Sequence, residues 1–307
     1  MAVTAQMVKE LREITGAGMM DCKKVLVETD GDIEKGIELL REKGLAKAAK
    51  KAGRVAAQGL VRLAFSADGK KAAIIEVNSE TDFVAKNDDF INFVEGLANL
   101  ALESDVADLE AFMALSFGEG TVQDSLNNKI ATIGENMNIR RFEKFEEPGV
   151  VYGGYVHGNG TIGVIVGIKT DATVEEIQVV GKDVAMQVAS MNPQFLDESS
   201  VDPAYIAHER EILTQQVLNE GKKPEMVDRI VDGKIKKEIK EVCLVEQKFV
   251  KNGDVTVKQY VAEAGAAIGK DMEVASMLRY EVGEGIEKVE EDFAAEVAAQ
   301  QAAAAAK

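Results

Sequence analysis

Hydrophobic positions along the chain change period several times, and the changes divide it into segments. Between Met7 and Leu40 they recur at helical spacing in three short runs: Met7, Val8, Leu11 and Ile14; Met19, Met20, Cys22, Val25 and Leu26; Ile33, Ile37 and Leu40. Thr4 and Asp32 read as N-caps, and Gly16, Gly18 and Asp30-Gly31 as breaks, which predicts a compact three-helix module. From Leu60 the pattern becomes strand-like. Leu60–Phe65, a turn at Ser66–Gly69 and Ala72–Val77 predict a hairpin. Helical spacing returns at Phe90, Ile91, Phe93, Val94, Leu97, Leu100 and Leu102, and again from about Val122 to Ile133; Met137–Glu143 then alternates as a further strand. Together these give a small antiparallel sheet with helices on one side. A second hairpin follows: Val150–Val156, a turn at His157–Gly160, and Ile162–Ile168. The helix after it, Val174–Ser190, is stopped by Asn192-Pro193.

Residues 202–246 carry two narrow apolar stripes. Ile206, Ile212, Leu213, Val217 and Leu218 form one; Met226, Val227, Ile230, Val231, Ile235, Ile239 and Val242 form the other. The break at Gly221-Lys222-Lys223-Pro224 predicts an antiparallel coiled-coil hairpin projecting from the body. A late strand, Glu273–Val282, and a C-terminal helix from Ile286 to about Val297 complete the reading. The fold class is α+β. The expected divisions are 1–55, 56–147, 148–201 with 247–282, the hairpin 202–246, and 283–307.

The two sheet-forming regions repeat one another. Laid on itself so that Asp68-Gly69 meets His157-Gly158, the chain matches Ile75 and Val77 to Val164 and Val166, and Thr81-Asp82 to Thr170-Asp171. The copies part at the strand-to-helix corner, where Phe83 meets Ala172. A phenylalanine usually turns inward. A plug needed by the repeated unit would occur in both copies, so Phe83 is expected to be exposed and to act outside the core.

Composition narrows the classes. At 307 residues the chain has room for two or three domains. A net charge of −17 opposes general nucleic-acid binding, which needs a cationic surface. The cations Arg41, Lys43, Lys47, Lys50, Lys51 and Arg54 read as a solvated helical linker, with an RNA or phosphate patch as the rival reading. Two distant cysteines, Cys22 and Cys243, imply no disulfide framework and hence a reducing compartment. The N-terminus has no signal-peptide pattern, and no apolar run reaches the roughly 20 residues of a membrane span. A cytoplasmic protein with no membrane association is expected.

Catalytic patterns are missing or misplaced. Gly158-Asn159-Gly160-Thr161-Ile162-Gly163 satisfies G-x-G-x-x-G but lies in a hairpin turn and leads into a strand, whereas a dinucleotide site needs a helix there. There is no phosphate-binding G-x-x-x-x-G-K-[ST] motif, and His157 and His208 do not form a conventional metal site with the cysteines. No enzyme, metal or cofactor is expected.

Four blocks carry a family resemblance, in order from residue 8 to residue 288. They are Val8–Lys24 (VKELREITGAGMMDCKK), Thr81–Asn87 (TDFVAKN), Ile133–Arg141 (IGENMNIRR) and Glu281–Lys288 (EVGEGIEK). The chain resembles the bacterial translation elongation factor Ts family. That resemblance implies a ubiquitin-associated-like N-terminal module and a nucleotide-exchange role toward GDP-bound elongation factor Tu. It puts Thr81, Asp82, Phe83 and Val84 where the family disturbs the partner's magnesium site. Arg12, Met19, Met20 and His157 fall on further partner contacts. Two other readings compete: a protein-binding scaffold with a ubiquitin-associated-like module, and an RNA-binding translation protein using residues 41–54.

Overall fold

The computed structural model describes residues 3–287; the C-terminal helix expected from Ile286 lies almost entirely outside them. Three helices come first: α1 (Ala5–Thr15), α2 (Met19–Glu28) and α3 (Ile33–Lys51). Thr4 caps α1, Gly16 ends it in the left-handed conformation, and Asp32 caps α3. Val8, Leu11, Cys22, Val25 and Leu26 form a small core between them.

The first sheet joins β1 (Gln58–Phe65), β2 (Ala72–Ser79) and β5 (Met137–Phe145) in the order β1-β2-β5. Between β2 and β5 come α4 (Asp82–Ala85), α5 (Asp88–Glu103), α6 (Leu109–Met113), the short strands β3 (Ser116–Phe117) and β4 (Gly120–Thr121), and α7 (Val122–Ile133). The second sheet joins β6 (Val150–His157), β7 (Ile162–Lys169) and β10 (Glu273–Glu281), with β7 central. All pairings in both sheets are antiparallel.

The excursion between β7 and β10 holds α8 (Val174–Met191), α9 (Pro203–Asn219), α10 (Pro224–Val242), β8 (Lys248–Phe249), β9 (Asn252–Thr256) and α11 (Val257–Ala267). Helices α9 and α10 form a hairpin with its own core of Val217, Val227, Val231, Ile235, Ile239 and Val242. Three stripe residues, Ile212, Leu218 and Met226, are exposed, so the seam is narrower than the sequence pattern suggests.

The two sheets lie back to back. Leu60, Ala73, Ile75 and Val77 face α5 and α7, whereas the intervening Val61, Ala72 and Ile74 meet Val150, Tyr152, Ile165 and Tyr280 of the second sheet. Val164, Val166 and Ile168 in turn face α8 and α11. Every residue of β2 is therefore buried. Helices on one side of the sheet were expected; that the other face is covered by the second sheet is a tertiary fact.

This packing also explains the G-x-G-x-x-G run. Gly160 has φ 108° in the turn, and a Cβ there would come within 2.2 Å of the Arg62 guanidinium. A Cβ on Gly163 would lie 2.3 Å from Val61. The glycines permit a turn and the close approach of two sheets.

Residues 41–51 form the last turns of α3, exposed along most of their length, with Gly44 and Ala48 buried and Gly44 facing Ala131 of α7. Arg41 pairs with Asp124 at 2.6 Å, Lys43 with Glu28 at 2.6 Å and Lys47 with Asp21 at 2.8 Å, so these three cations meet acids of α2 and α7.

Glu76, on the inter-sheet face of β2, is 0% exposed. A bulge makes this possible. Glu76 pairs with Arg141 and Val77 with Ile139, so Arg140 is the extra residue, and two arginines that would point to opposite faces both reach one carboxylate. Arg140 approaches at 3.0 Å and Arg141 at 2.7 Å; Asn78 and the Gly283 N–H donate at 3.1 and 2.8 Å. Arg141 also lies over the Tyr280 ring, 3.9 Å from its centroid. Burial opposes the charge most strongly, but the donors from Gly283, Arg141, Asn78 and Arg140 together outweigh it and hold the Glu76 carboxyl below its usual range.

A carboxylate with a lowered folded-state pKa stabilises above its unfolded pKa, near 4.3 for glutamate, and that stability is lost as pH falls through the folded value. Glu76→Gln should therefore unfold with a flatter pH dependence below about pH 4. Glu76→Ala should lose about 3 kcal/mol at neutral pH, since both arginines lose their partner. Urea titrations across pH 3–7 check both; an unchanged acid limb in Glu76→Gln would rule out this role.

Candidate functional site: an exposed aromatic turn

Strand β2 ends at Ser79, and the chain turns out of the sheet at Glu80-Thr81. Thr81 is extended (φ −121°, ψ 158°) and caps the four-residue α4 by accepting from the Val84 N–H at 3.5 Å. Asn87 then caps α5 by accepting from Asp89 and Phe90. Asp82 is consequently not the cap of either helix. Its carboxylate pairs with Lys86, one turn on, at 2.6 Å, and that hydrogen bond holds the Asp82 carboxyl below the usual range.

One turn sends neighbouring side chains in opposite directions. Val84 is 6% exposed and belongs to the core under α5, so it anchors the turn from within and presents no surface to a partner. Phe83 is 79% exposed, with the Lys86 ammonium 5.9 Å from its ring centroid. The second copy differs in backbone as well as residue. Lys169 leads through Thr170 into α8 without a helical turn, and Ala172, 5% exposed, packs inward. The exposure of Phe83 thus comes from the extra turn, not only from the change of residue.

The base of the turn is fixed by Glu135 and Glu80, to which the sequence gave no role. Glu135, between α7 and β5, accepts from the Thr81 N–H at 3.0 Å and the Thr81 hydroxyl at 2.7 Å. Glu80 accepts from the Asn136 N–H at 2.5 Å, and the Asn136 amide donates to the Arg54 carbonyl at 2.7 Å. Glu135 falls inside one matched block, but only folding brings it to Thr81.

The remaining residues that the resemblance singles out lie on other elements. Arg12, Met19 and Met20 are exposed around the α1–α2 connection, beside Ile14. His157 ends β6 with an exposed imidazole, its Nδ1 2.9 Å from the Tyr155 hydroxyl. Its carbonyl accepts from the N–H groups of Gly160 and Thr161, so it also serves the turn. Among the described residues no His, Cys, Asp and Glu side chains form a metal-binding group, and no helix is long and apolar enough to cross a membrane.

A two-sheet body that holds an aromatic ring out in solvent, with further apolar side chains exposed on a second module, has the surface expected of a protein-binding protein. Comparison with known proteins gives that class a family. The model for the family described as "Elongation factor TS" matches residues 80–284. Elongation factor Ts of Clostridioides difficile (strain 630) is 56% identical over 299 residues, covering 97% of this chain and 98% of that protein. Those of Clostridium novyi (strain NT) and Clostridium tetani (strain Massachusetts / E88) are 52% and 51% identical, each over 301 residues and 97% of this chain, covering 98% and 99% of those proteins. The chain belongs to the elongation factor Ts family. Membership implies a nucleotide-exchange factor for elongation factor Tu rather than an enzyme.

Phe83→Ala should change unfolding stability by less than about 0.5 kcal/mol, as for an exposed residue. Phe90→Ala, seven residues on and fully buried, should cost about 3–5 kcal/mol. Denaturant melts of the two variants side by side check this; comparable losses would make Phe83 a core residue.

Proposed function

We propose that the chain binds elongation factor Tu in its GDP-bound state and promotes GDP release by driving Phe83 between elements that support the partner's magnesium and phosphate site. The exposure of Phe83 on an anchored turn carries this reading. Bound GDP is held by backbone amides and a magnesium ion that offset its phosphate charge. A ring pushed into a dense interior displaces packed groups from one discrete arrangement to another. Displacing the elements that hold the magnesium or the phosphate-facing amides removes charge compensation, and the nucleotide leaves. GTP then enters the emptied site.

In this reading Asp82 meets the partner beside the ring, Thr81 fixes the turn, and Val84 anchors it from the core. Arg12, Met19 and Met20 supply a second contact through the adaptable N-terminal surface. His157, braced by Tyr155, supplies a third from the second half. The coupling is reciprocal: the factor by which this protein weakens GDP binding is the factor by which GDP weakens its own binding.

Stopped-flow release of fluorescent GDP from elongation factor Tu tests the proposal. Substoichiometric protein should accelerate release, and Phe83→Ala should slow the accelerated rate about thirtyfold, equivalent to a hot-spot loss near 2 kcal/mol. Unchanged release despite complex formation on gel filtration would refute exchange. His157→Ala should weaken the complex by about 1–2 kcal/mol in a titration; unchanged affinity would leave His157 only its turn role.

A further inference from the structure

A four-residue helix cannot hold its own orientation, because its few hydrogen bonds do not offset the cost of nucleating the turn. The ties that fix α4 come from outside it. Val84 fixes its inner side. Its N-terminal end is fixed by a reciprocal exchange between two chain segments distant in sequence. Glu135 accepts from the backbone N–H of Thr81, while Glu80 accepts from the backbone N–H of Asn136. Each carboxylate thus serves the segment that carries the other.

Glu135 does more than Glu80. One oxygen takes the Thr81 N–H and the other takes the Thr81 hydroxyl, so the carboxylate grips a single residue at two points. Two such bonds fix rotation about the residue as well as distance. Donating to Glu135 also aims the Thr81 oxygen, which in turn accepts from the Val84 N–H. The chain of contacts therefore runs from Glu135 through Thr81 to the residue beside Phe83. Among the described residues neither Glu135 oxygen meets a lysine or arginine in an ion pair, so this half-buried carboxylate is committed to geometry rather than to charge neutralisation. Its placement comes from Gly134, whose left-handed φ of 93° ends α7 and redirects the chain toward Thr81.

We propose that Glu135 is the positioning residue for the Phe83 wedge, holding the turn so that the ring meets the partner already oriented. The proposal rests on the exchange reading above. A ring that must be pressed into a packed interior needs a base that does not yield. Pre-organisation also removes the ordering cost from the encounter.

The test uses full-length Glu135→Ala, Glu135→Gln, Phe83→Ala and the Glu135→Ala/Phe83→Ala double variant, each confirmed folded by thermal unfolding. GDP release from elongation factor Tu should slow about tenfold in Glu135→Ala, the scale of a lost hydrogen bond to a charged acceptor. Glu135→Gln retains a carbonyl acceptor for one Thr81 donor and should fall between it and the wild type. In the Phe83→Ala background, Glu135→Ala should cost far less than it does alone, because the ring is the main group the glutamate positions. A full release rate in Glu135→Ala, or an equal further fall in the double variant, would overturn the positioning role.

A partner-free measurement separates this claim from exchange itself. Amide hydrogen exchange at Thr81 and Val84 should quicken about tenfold in Glu135→Ala. Unchanged protection there would reject the claim whatever the release assay shows. Quickened exchange beside a wild type that fails to release GDP would reject the exchange reading while retaining Glu135 as the holder of the turn.

Discussion

A strand buried on both faces must place any charge it carries against compensating groups, and β2 carries Glu76. Groups from three parts of the chain meet that requirement. The β5 bulge brings Arg140 and Arg141 to one side, Asn78 contributes from β2, and the Gly283 N–H arrives from beyond β10. Arg141 reaches onward to Glu284, and Arg140 donates to the Glu284 carbonyl. One carboxylate thereby joins the first sheet to the segment that follows the last strand of the second. Two of the four sequence blocks shared with the elongation factor Ts family converge on this contact: Ile133–Arg141 supplies both arginines and Glu281–Lys288 supplies Gly283 and Glu284.

The same economy of contacts governs the aromatic turn. Its helix is too short to persist alone, so the core holds Val84 on one side and Glu135 holds Thr81 on the other. Phe83 is left in solvent between two fixed neighbours. Exposure of a large apolar ring is unfavourable in the isolated protein and becomes favourable when a partner covers it. In the exchange reading proposed above, an exposed aromatic residue on a firmly tied turn is stabilised when the complex forms.

The internal repeat shows how a duplicated unit diverges. Both halves have a hairpin, a third antiparallel strand and a helix on the outer face, and both send one sheet face toward the other half. They differ in what is inserted. The first half gains α4 at its corner; the second gains the α9–α10 hairpin, whose core is separate from that of the sheets. The duplicated frame supplies rigidity, and the insertions supply the surfaces that make each half distinct.

Much of this was legible in the sequence. Apolar spacing located the three N-terminal helices, both hairpins, α7, β5, α8, the α9–α10 hairpin and the late strand, because burying one face of an element imposes its period on the residues. The mismatch of Phe83 with Ala172 marked the corner as exceptional. What the sequence could not carry were relations between segments distant along the chain. The pairing of Arg41, Lys43 and Lys47 with acids from other helices is one such relation. The grip of Glu135 on Thr81 and the meeting of two arginines at Glu76 likewise have no local signature, since a charged residue reads as solvent-facing until its partner is known. Periodicity is set by the face that an element buries; the partner on that face, and the charges it must satisfy, are decided only when the sheets close on one another.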